Sequence, residues 1–479
     1  METTSARRLA ELVGDLGGAR PPRYAALAGR VRMLVADGRV PLGTRLPAER
    51  DLATAMQLSR ATVSAAYARL REDGWATARQ GAGTFAALPA GPDRGAWVPG
   101  PVDDGTIDMA HAAPSAPSSV PAAFAAALVE LPRYLPQHGY HPAGLPDLRA
   151  RIAERYTVRG LATTPEQVLV TAGALHGIGT AFQTVLRRGQ RLLVEQPTYP
   201  NALEAARAVG ARLLPTALDA DRPENWLEAA ARALRSVRPA AAYLMPDFHN
   251  PTGRLLDTAE REELAGVLRR AGTTAVVDET FAELWLDAPA PPPLAAFGEG
   301  HVSVGSLSKT SWGGLRIGWI RAEAEMVRRL TAVAVRSTMA GPVVEQLAAC
   351  ALLDGFHPAM EELRPQLRER RAVLIDALRA RLPAWRVPEP AGGLVLWCGL
   401  PSARSRALVA AAETHGVRLA AGPLFGTGHD LDDRLRLPYT HAPEVLRAAV
   451  TLLARADADV ERGAGREAGD GRAAADPVV

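Results

Sequence analysis

The chain has 479 residues with a formal net charge of +3, 47% of them hydrophobic and 22% charged, which is the balance of a globular protein with room for roughly two or three domains. No apolar run is long enough to span a bilayer, and residues 1–21 lack the apolar core of a signal peptide, so a cytoplasmic location is expected. The two cysteines, Cys350 and Cys398, lie far apart and offer neither a disulfide framework nor metal-ligand spacing.

Charge is uneven along the chain. Residues 1–86 carry thirteen arginines against eight acids, and the remainder is slightly acidic. A basic first module suggests nucleic acid as partner, although a solvated charged face would look the same on charge alone. Tyr24, Leu27, Val31 and Leu34 recur at helical spacing and predict an amphipathic helix ended by Asp37-Gly38. Pro47 suits the first turn of a second helix running to about Met56. Ser59 is a good N-cap for a third, with Val63, Ala66, Tyr67 and Leu70 on its buried face and Gly74 closing it. Residues 75–79 and 84–86 read as short strands around Gln80-Gly81-Ala82-Gly83.

Three helices and a hairpin predict a winged helix-turn-helix; the alternative is a small protein-interaction domain. The third helix would enter the major groove, with Ser59, Arg60, Thr62 and Ser64 near bases or phosphates. Arg45, Arg50 and Arg79 would neutralise phosphates, the wing glycines would let the backbone approach DNA, and Gln80 and Gly81 are the wing's candidate DNA-binding residues. The stretch Gly43-Thr44-Arg45-Leu46-Pro47-Ala48-Glu49-Arg50-Asp51-Leu52-Ala53, with Ser59-Arg60-Ala61-Thr62-Val63 and Tyr67-x-x-Leu70-x-x-x-Gly74, resembles the DNA-binding domain of GntR-family regulators. That resemblance implies a double-stranded DNA operator as partner.

Residues 87–106, rich in Pro, Gly, Ala and Asp, are expected to be a linker. Beyond Ile107, strands predicted near residues 168–170, 191–195, 241–245, 274–277 and 302–304 alternate with helices. Polar residues follow the carboxyl end of each strand, where open α/β sheets bind ligands. The last of these ends leads into Ser306-Leu307-Ser308-Lys309, and Lys309 is the only lysine in the chain. Arginine stays charged, whereas a lysine amine can lose its proton and attack a carbonyl. The chemistry that fits is a Schiff base with an aldehyde cofactor, and pyridoxal 5′-phosphate (PLP) is the usual one. A stray surface lysine in an arginine-biased chain is the bland alternative.

The other strand ends offer what PLP requires. Gly173, Ala174 and Leu175 present amides at a helix N-terminus, suited to the phosphate, and Ser306 and Arg316 could complete that anion pocket. Tyr199 could stack on the ring, Asn250 could bond its oxygen, and Asp278 could hold its nitrogen protonated. As bland alternatives, Tyr199 is a core aromatic and Asp278 a strand-end cap. His176 and His249 lack partners at metal spacing and read as pocket walls or helix-face residues.

Gly173-Ala174, Pro197-Thr198-Tyr199-Pro200, Asn250-Pro251-Thr252-Gly253, Asp278 and Ser306-x-x-Lys309 followed by Arg316 together resemble fold-type I PLP enzymes, the class I aminotransferases. The resemblance runs from about residue 107 to 455. It implies that Tyr140, in Tyr140-x-x-x-Gly144-x-x-x-Leu148-Arg149, reaches the cofactor of a partner subunit. It also implies that an arginine of Arg434-Leu435-Arg436-Leu437-Pro438-Tyr439 grips a substrate carboxylate. Alternation puts Arg434 and Arg436 on one strand face, and Arg436 is the choice. Two departures stand out: Phe281 where such enzymes carry a tyrosine that bonds the ring oxygen, and Ala112-Ala113-Pro114 in place of Gly-x-Pro. Loss of that hydroxyl leaves Asn250 as the main partner of the oxygen and casts doubt on efficient transamination.

The expected architecture is an N-terminal winged helix-turn-helix (1–86), a linker (87–106), a PLP-binding α/β fold-type I large domain (107–340), a smaller C-terminal α/β subdomain (341–457) and a disordered tail (458–479). This arrangement resembles the MocR (GabR-type) subfamily of GntR regulators. It implies a homodimeric transcription regulator that senses PLP or a small amino compound through an internal aldimine at Lys309. A working aminotransferase with an accessory DNA-binding head, and a regulator with an inert body, are the alternatives.

Overall fold

The computed structural model describes residues 4–16, 22–36, 40–41, 44–72, 75–79, 83–87, 105–218, 225–428 and 430–473. The chain forms two compact units, Met1–Val98 and Pro99–Val479.

The first unit holds α1 (Ala6–Val13), α2 (Arg23–Ala36), α3 (Glu49–Met56), α4 (Arg60–Glu72), β1 (Ala76–Arg79) and β2 (Gly83–Ala86). Helix α1 has no counterpart in the sequence reading. Its signal was Ser5, whose hydroxyl caps the Arg8 N–H at 3.2 Å, with Leu9 and Val13 buried. In α2 the buried stripe is Leu27, Ala28, Val31, Leu34 and Val35, whereas Tyr24, on the first turn, is 41% exposed and leaves the expected stripe. Helix α3 starts two residues after Pro47, whose carbonyl instead accepts the buried Tyr67 hydroxyl at 3.0 Å and ties α4 to the preceding turn. Ser59 caps α4 as expected, its Oγ accepting the Thr62 N–H at 3.0 Å, and Val63, Ala66, Tyr67 and Leu70 are buried. The β1–β2 hairpin is antiparallel, and bonds from Leu46 N–H to Thr84 and from Ala86 N–H to Thr44 lay residues 44–46 along its edge. Asp37, Gly38, Gly43, Gly74 and Gln80-Gly81-Ala82 lie outside the described residues, as does most of the expected linker.

The second unit opens with β3 (Ile107–Asp108). It then builds a sheet from β4 (Val168–Thr171), β5 (Arg191–Gln196), β6 (Arg212–Ala217), β7 (Ala241–Leu244), β8 (Thr274–Asp278), β9 (Val302–Ser306) and β10 (Gly318–Arg321). The order is β4-β10-β9-β8-β7-β5-β6, parallel throughout except for β10, which runs against both neighbours. β6 and β10 are additional to the five expected strands. β6 carries Pro215 inside its run, which only an edge strand tolerates, and β10 is a short Gly-Trp-Ile-Arg segment with no alternation to mark it. Apolar clusters cover both faces of the sheet, which is why β7 reads as an uninterrupted buried run. The carboxyl ends of β4, β5, β7, β8 and β9 therefore share one edge.

A smaller sheet follows from β11 (Val395–Gly399), β12 (Val417–Arg418), β13 (Ala420–Ala421) and β14 (Arg434–Pro438), with order β11-β14-β13 and β12 pairing β3 in parallel. Ile107–Asp108 thus joins the smaller lobe, although the sequence places it at the start of the larger one. Conversely, helix Val343–Asp354 packs on helices Ser119–Glu130 and Pro146–Val158, on the larger side of the expected boundary at 340. The closing helix runs Pro443–Ala473, into the tail expected to be disordered from residue 458, and residues 474–479 lie outside the described residues. Its apolar period fades there, but Ala, Glu and Arg favour helix, and Asp459 and Glu461 pair with His415 and Arg404. Among the described residues no helix is long and apolar enough to cross a membrane, no His/Cys/Asp/Glu group is placed to hold a metal, and both cysteines are buried and free.

Candidate functional site

The turn after β4 opens helix Ala174–Val185 with Gly173 as its N-cap at φ +86°. A Cβ at Gly173 would lie 2.4 Å from the Arg316 guanidinium, so only glycine lets these groups approach. Arg316, itself left-handed, donates from Nη2 to the Ala172 carbonyl at 2.8 Å. Ser306 Oγ, at the end of β9, lies 2.8 Å from Ser308 Oγ and accepts the Ser308 N–H at 3.1 Å. A helix terminus, a guanidinium and hydroxyls are groups suited to an anion.

Asp278 ends β8. Its Oδ2 accepts the Tyr243 hydroxyl from β7 at 2.8 Å, and its Oδ1 accepts the Thr280 N–H at 2.9 Å and the Thr280 hydroxyl. These hydroxyl and amide donors fix the orientation of a buried carboxyl group at the end of β8. Sequence reasoning missed Tyr243 and Thr280, because a tyrosine inside a buried apolar strand gives no signal of its own. Tyr199 caps the helix after β5, and its hydroxyl accepts from Asn201 Nδ2 at 3.2 Å. Burial, then the Asp278 charge, push the Tyr199 hydroxyl pKa up, so it stays a neutral phenol. Phe281 is 6% exposed and packs by Gly393, with no hydroxyl to offer.

Arg436 lies on β14, two residues after Arg434. It is 1% exposed, with Nη1 donating to Asn250 Oδ1 at 3.1 Å, Nη2 donating to the Ala110 carbonyl, and Cζ 4.9 Å from the Phe425 ring centre. Arg434 instead lies 3.5 Å from the carboxylate of Asp433. With Oδ1 of Asn250 engaged by Arg436, its Nδ2 is the donor end of the amide. Tyr140 stands apart from this cluster, 59% exposed and stacked on His138.

Lys309 Nζ donates to the Ala112 carbonyl at 2.5 Å. Its pKa falls from 10.5 to about 8, chiefly through burial, then through the Arg436 charge and more weakly that of Arg316, against the pull of Asp278. Between about 8 and 10.5 the unfolded chain binds the extra proton, so this group adds stability as pH rises through that window. Because the neutral amine is the nucleophile, the rate of PLP capture by the cofactor-free protein is expected to rise about tenfold per pH unit and level off above about 8. Stopped-flow absorbance checks this; a rise continuing towards 10.5 would contradict it.

In the first unit Arg60 is exposed at the start of α4, and the Thr62 and Ser59 hydroxyls lie 2.8 Å apart, so both serve the cap. Ser64 is half-buried. Arg50 is exposed beside Asp51, and Arg45 lies over the start of β2, where a Cβ at Gly83 would be 3.0 Å from its Nε. The Arg79 side chain, Gln80 and Gly81 lie outside the described residues.

A glycine-opened helix terminus beside a guanidinium, a buried carboxyl and the chain's one lysine amine, half-buried, lie on one edge of a mixed sheet, the arrangement of a fold-type I PLP protein, here preceded by a winged helix. The chain belongs to the aminotransferase class I and II family, whose model matches residues 106–453, and residues 23–86 match that of the gntR family of bacterial regulatory proteins. It is similar to the uncharacterized HTH-type transcriptional regulator YdcR of Escherichia coli, 30% identical over 85% of this chain and 93% of the relative. It is also similar to YdfD of Bacillus subtilis, 27% identical over 88% and 93%, likewise named as an uncharacterized regulator. Among solved structures, LysN, the alpha-aminoadipate aminotransferase of Thermus thermophilus complexed with N-(5′-phosphopyridoxyl)-L-leucine, matches with a TM-score of 0.68 at 29% identity, covering 74% of this chain and 92% of that one. The residues present fit PLP, the cofactor this family implies. The Gly173 cradle, which a Cβ would fill, suits the phosphate, and Asp278 suits the ring nitrogen.

Proposed function

We propose that the protein is a homodimeric transcription regulator whose affinity for an operator is set at the Lys309 site by PLP or by an amino compound bearing a carboxylate. The observation that carries this reading is the convergence of Lys309, Asp278, Asn250 and Arg436 in a chain whose first unit is a GntR winged helix. PLP, when bound, supplies a carbonyl that captures amines and a ring that withdraws electrons. Gly173, Ala174, Leu175, Ser306 and Arg316 hold its phosphate, Tyr199 covers the ring, and Asp278 keeps a proton on the ring nitrogen. Asn250 donates to the ring oxygen, and Arg436 takes the effector carboxylate. The cofactor–leucine conjugate bound to LysN supports an amino acid as the effector class. Exposed Leu128, Val129, Leu135, Tyr140 and Met339 support a subunit interface, with Tyr140 directed to the partner's cofactor.

Occupancy would shift the population between two arrangements of the body and thereby of the paired heads. Fluorescence anisotropy on a duplex selected from a random library by the wild-type protein tests this. PLP, or PLP with an amino acid, is expected to change the affinity by roughly 5- to 150-fold. An affinity indifferent to both would contradict the proposal. A second reading, a working aminotransferase, is favoured by the intact Lys309, Asp278 and Asn250 set, and sustained turnover with an amino acid and a keto acid would support it.

A further inference from the structure

The turn that presents Asn250 is held from behind by two buried ionisable side chains with no part in the site described above. His249, 1% exposed, precedes Asn250; Glu195, 3% exposed, lies near the carboxyl end of β5. His249 Nδ1 meets the Thr252 hydroxyl at 2.9 Å and the Thr252 N–H at 3.4 Å. An amide can only donate, so Nδ1 is the acceptor and the ring proton is assigned to Nε2, which lies 3.4 Å from Glu195 Oε2, in electrostatic contact without completing a hydrogen bond. Glu195 Oε2 is in turn anchored by the Met245 N–H, just after β7, at 2.8 Å. The turn itself is closed by bonds from His249 N–H to Arg254 at 2.8 Å and from Gly253 N–H to His249 at 2.6 Å. An unbroken set of contacts therefore runs from β5 through the imidazole to Thr252, on the far side of Asn250.

Packing alone would not select these residues. The preceding positions of β5, Leu192, Leu193 and Val194, are apolar, and burying a carboxylate beside an imidazole is costly unless each is partnered. We infer that His249, seated on Glu195, is a positioning residue that fixes the orientation of Asn250 towards the cofactor's ring oxygen. This rests on the proposal that PLP binds at Lys309. Phe281 has no hydroxyl to share the work, so a small rotation of the turn has no second donor to compensate for it. Donation to the ring oxygen withdraws electron density from the lysine–cofactor link and lowers the pH at which that link loses its proton; losing the donor raises it.

The test is the pH midpoint of the near-visible band of the full-length, PLP-loaded protein. His249→Phe is expected to raise the midpoint by roughly one pH unit, and Asn250→Ala by a similar amount. The double variant is expected to move no further, because both act through one donor. His249→Asn, which keeps an acceptor for Thr252, should recover most of the shift. An unchanged midpoint in His249→Phe, or shifts that add in the double variant, would overturn the inference. If melting shows that His249→Phe fails to fold, Glu195→Gln decides in its place: a smaller upward shift supports the inference and no shift overturns it. A wild-type protein with no band at all would instead overturn the cofactor reading.

Discussion

Arg436→Ala is expected to abolish the response to carboxylate-bearing amino compounds while PLP still attaches at Lys309. The guanidinium is buried between Asn250, the Ala110 carbonyl and the Phe425 ring, and the cost of that burial pushes its pKa down to about 9. A carboxylate arriving in this dry site would restore the favourable environment, through two charge-assisted hydrogen bonds. Losing them should weaken effector affinity on the order of 100-fold, read from titration of the cofactor's absorption band. The same substitution removes a positive neighbour from Lys309, so the pH profile of PLP capture should move above its midpoint of about 8. Arg434→Ala should do neither, because Arg434 faces Asp433 instead. A lost response in the Arg434 variant would mean that the wrong strand position has been assigned.

Arg60→Ala should lower affinity for the selected duplex by roughly 10- to 100-fold with PLP uptake unchanged. Arg60 is exposed on the first turn of α4, whose opening is capped by Ser59, so its removal disturbs no buried contact. If the guanidinium reads a base, discrimination between selected and random DNA falls; if it grips a phosphate, the salt dependence falls by about one charge instead. Equal loss of DNA binding and of PLP uptake would show that the residue holds the fold.

Most of the site was legible because its residues sit at strand ends beside turn-forming residues, where sequence and geometry coincide. Gly173, Asn250, Asp278 and Lys309 follow four different strands, and the sheet order brings those ends to one edge. What sequence did not disclose depends on neighbours across the sheet. Tyr243 looks like any core aromatic until β8 places Asp278 beside it. His249 read as a pocket wall or helix-face residue because Glu195, the group it meets, is on β5, 54 positions away. β10 escaped notice because a four-residue antiparallel strand between two parallel ones has no period to detect, and the helix beyond residue 457 because composition suggested disorder where propensity and ion pairs favour helix.

The most direct test of the central claim is the near-visible absorption spectrum of the purified protein with PLP, before and after borohydride, beside Lys309→Ala. With Lys309 the only lysine in the chain, no second side-chain amine of that kind can confuse the assignment. A reducible band in the wild type that is absent from the variant is the predicted result. No band in the wild type, or the same band in both proteins, would contradict the assignment of Lys309 as the anchor of a sensory cofactor.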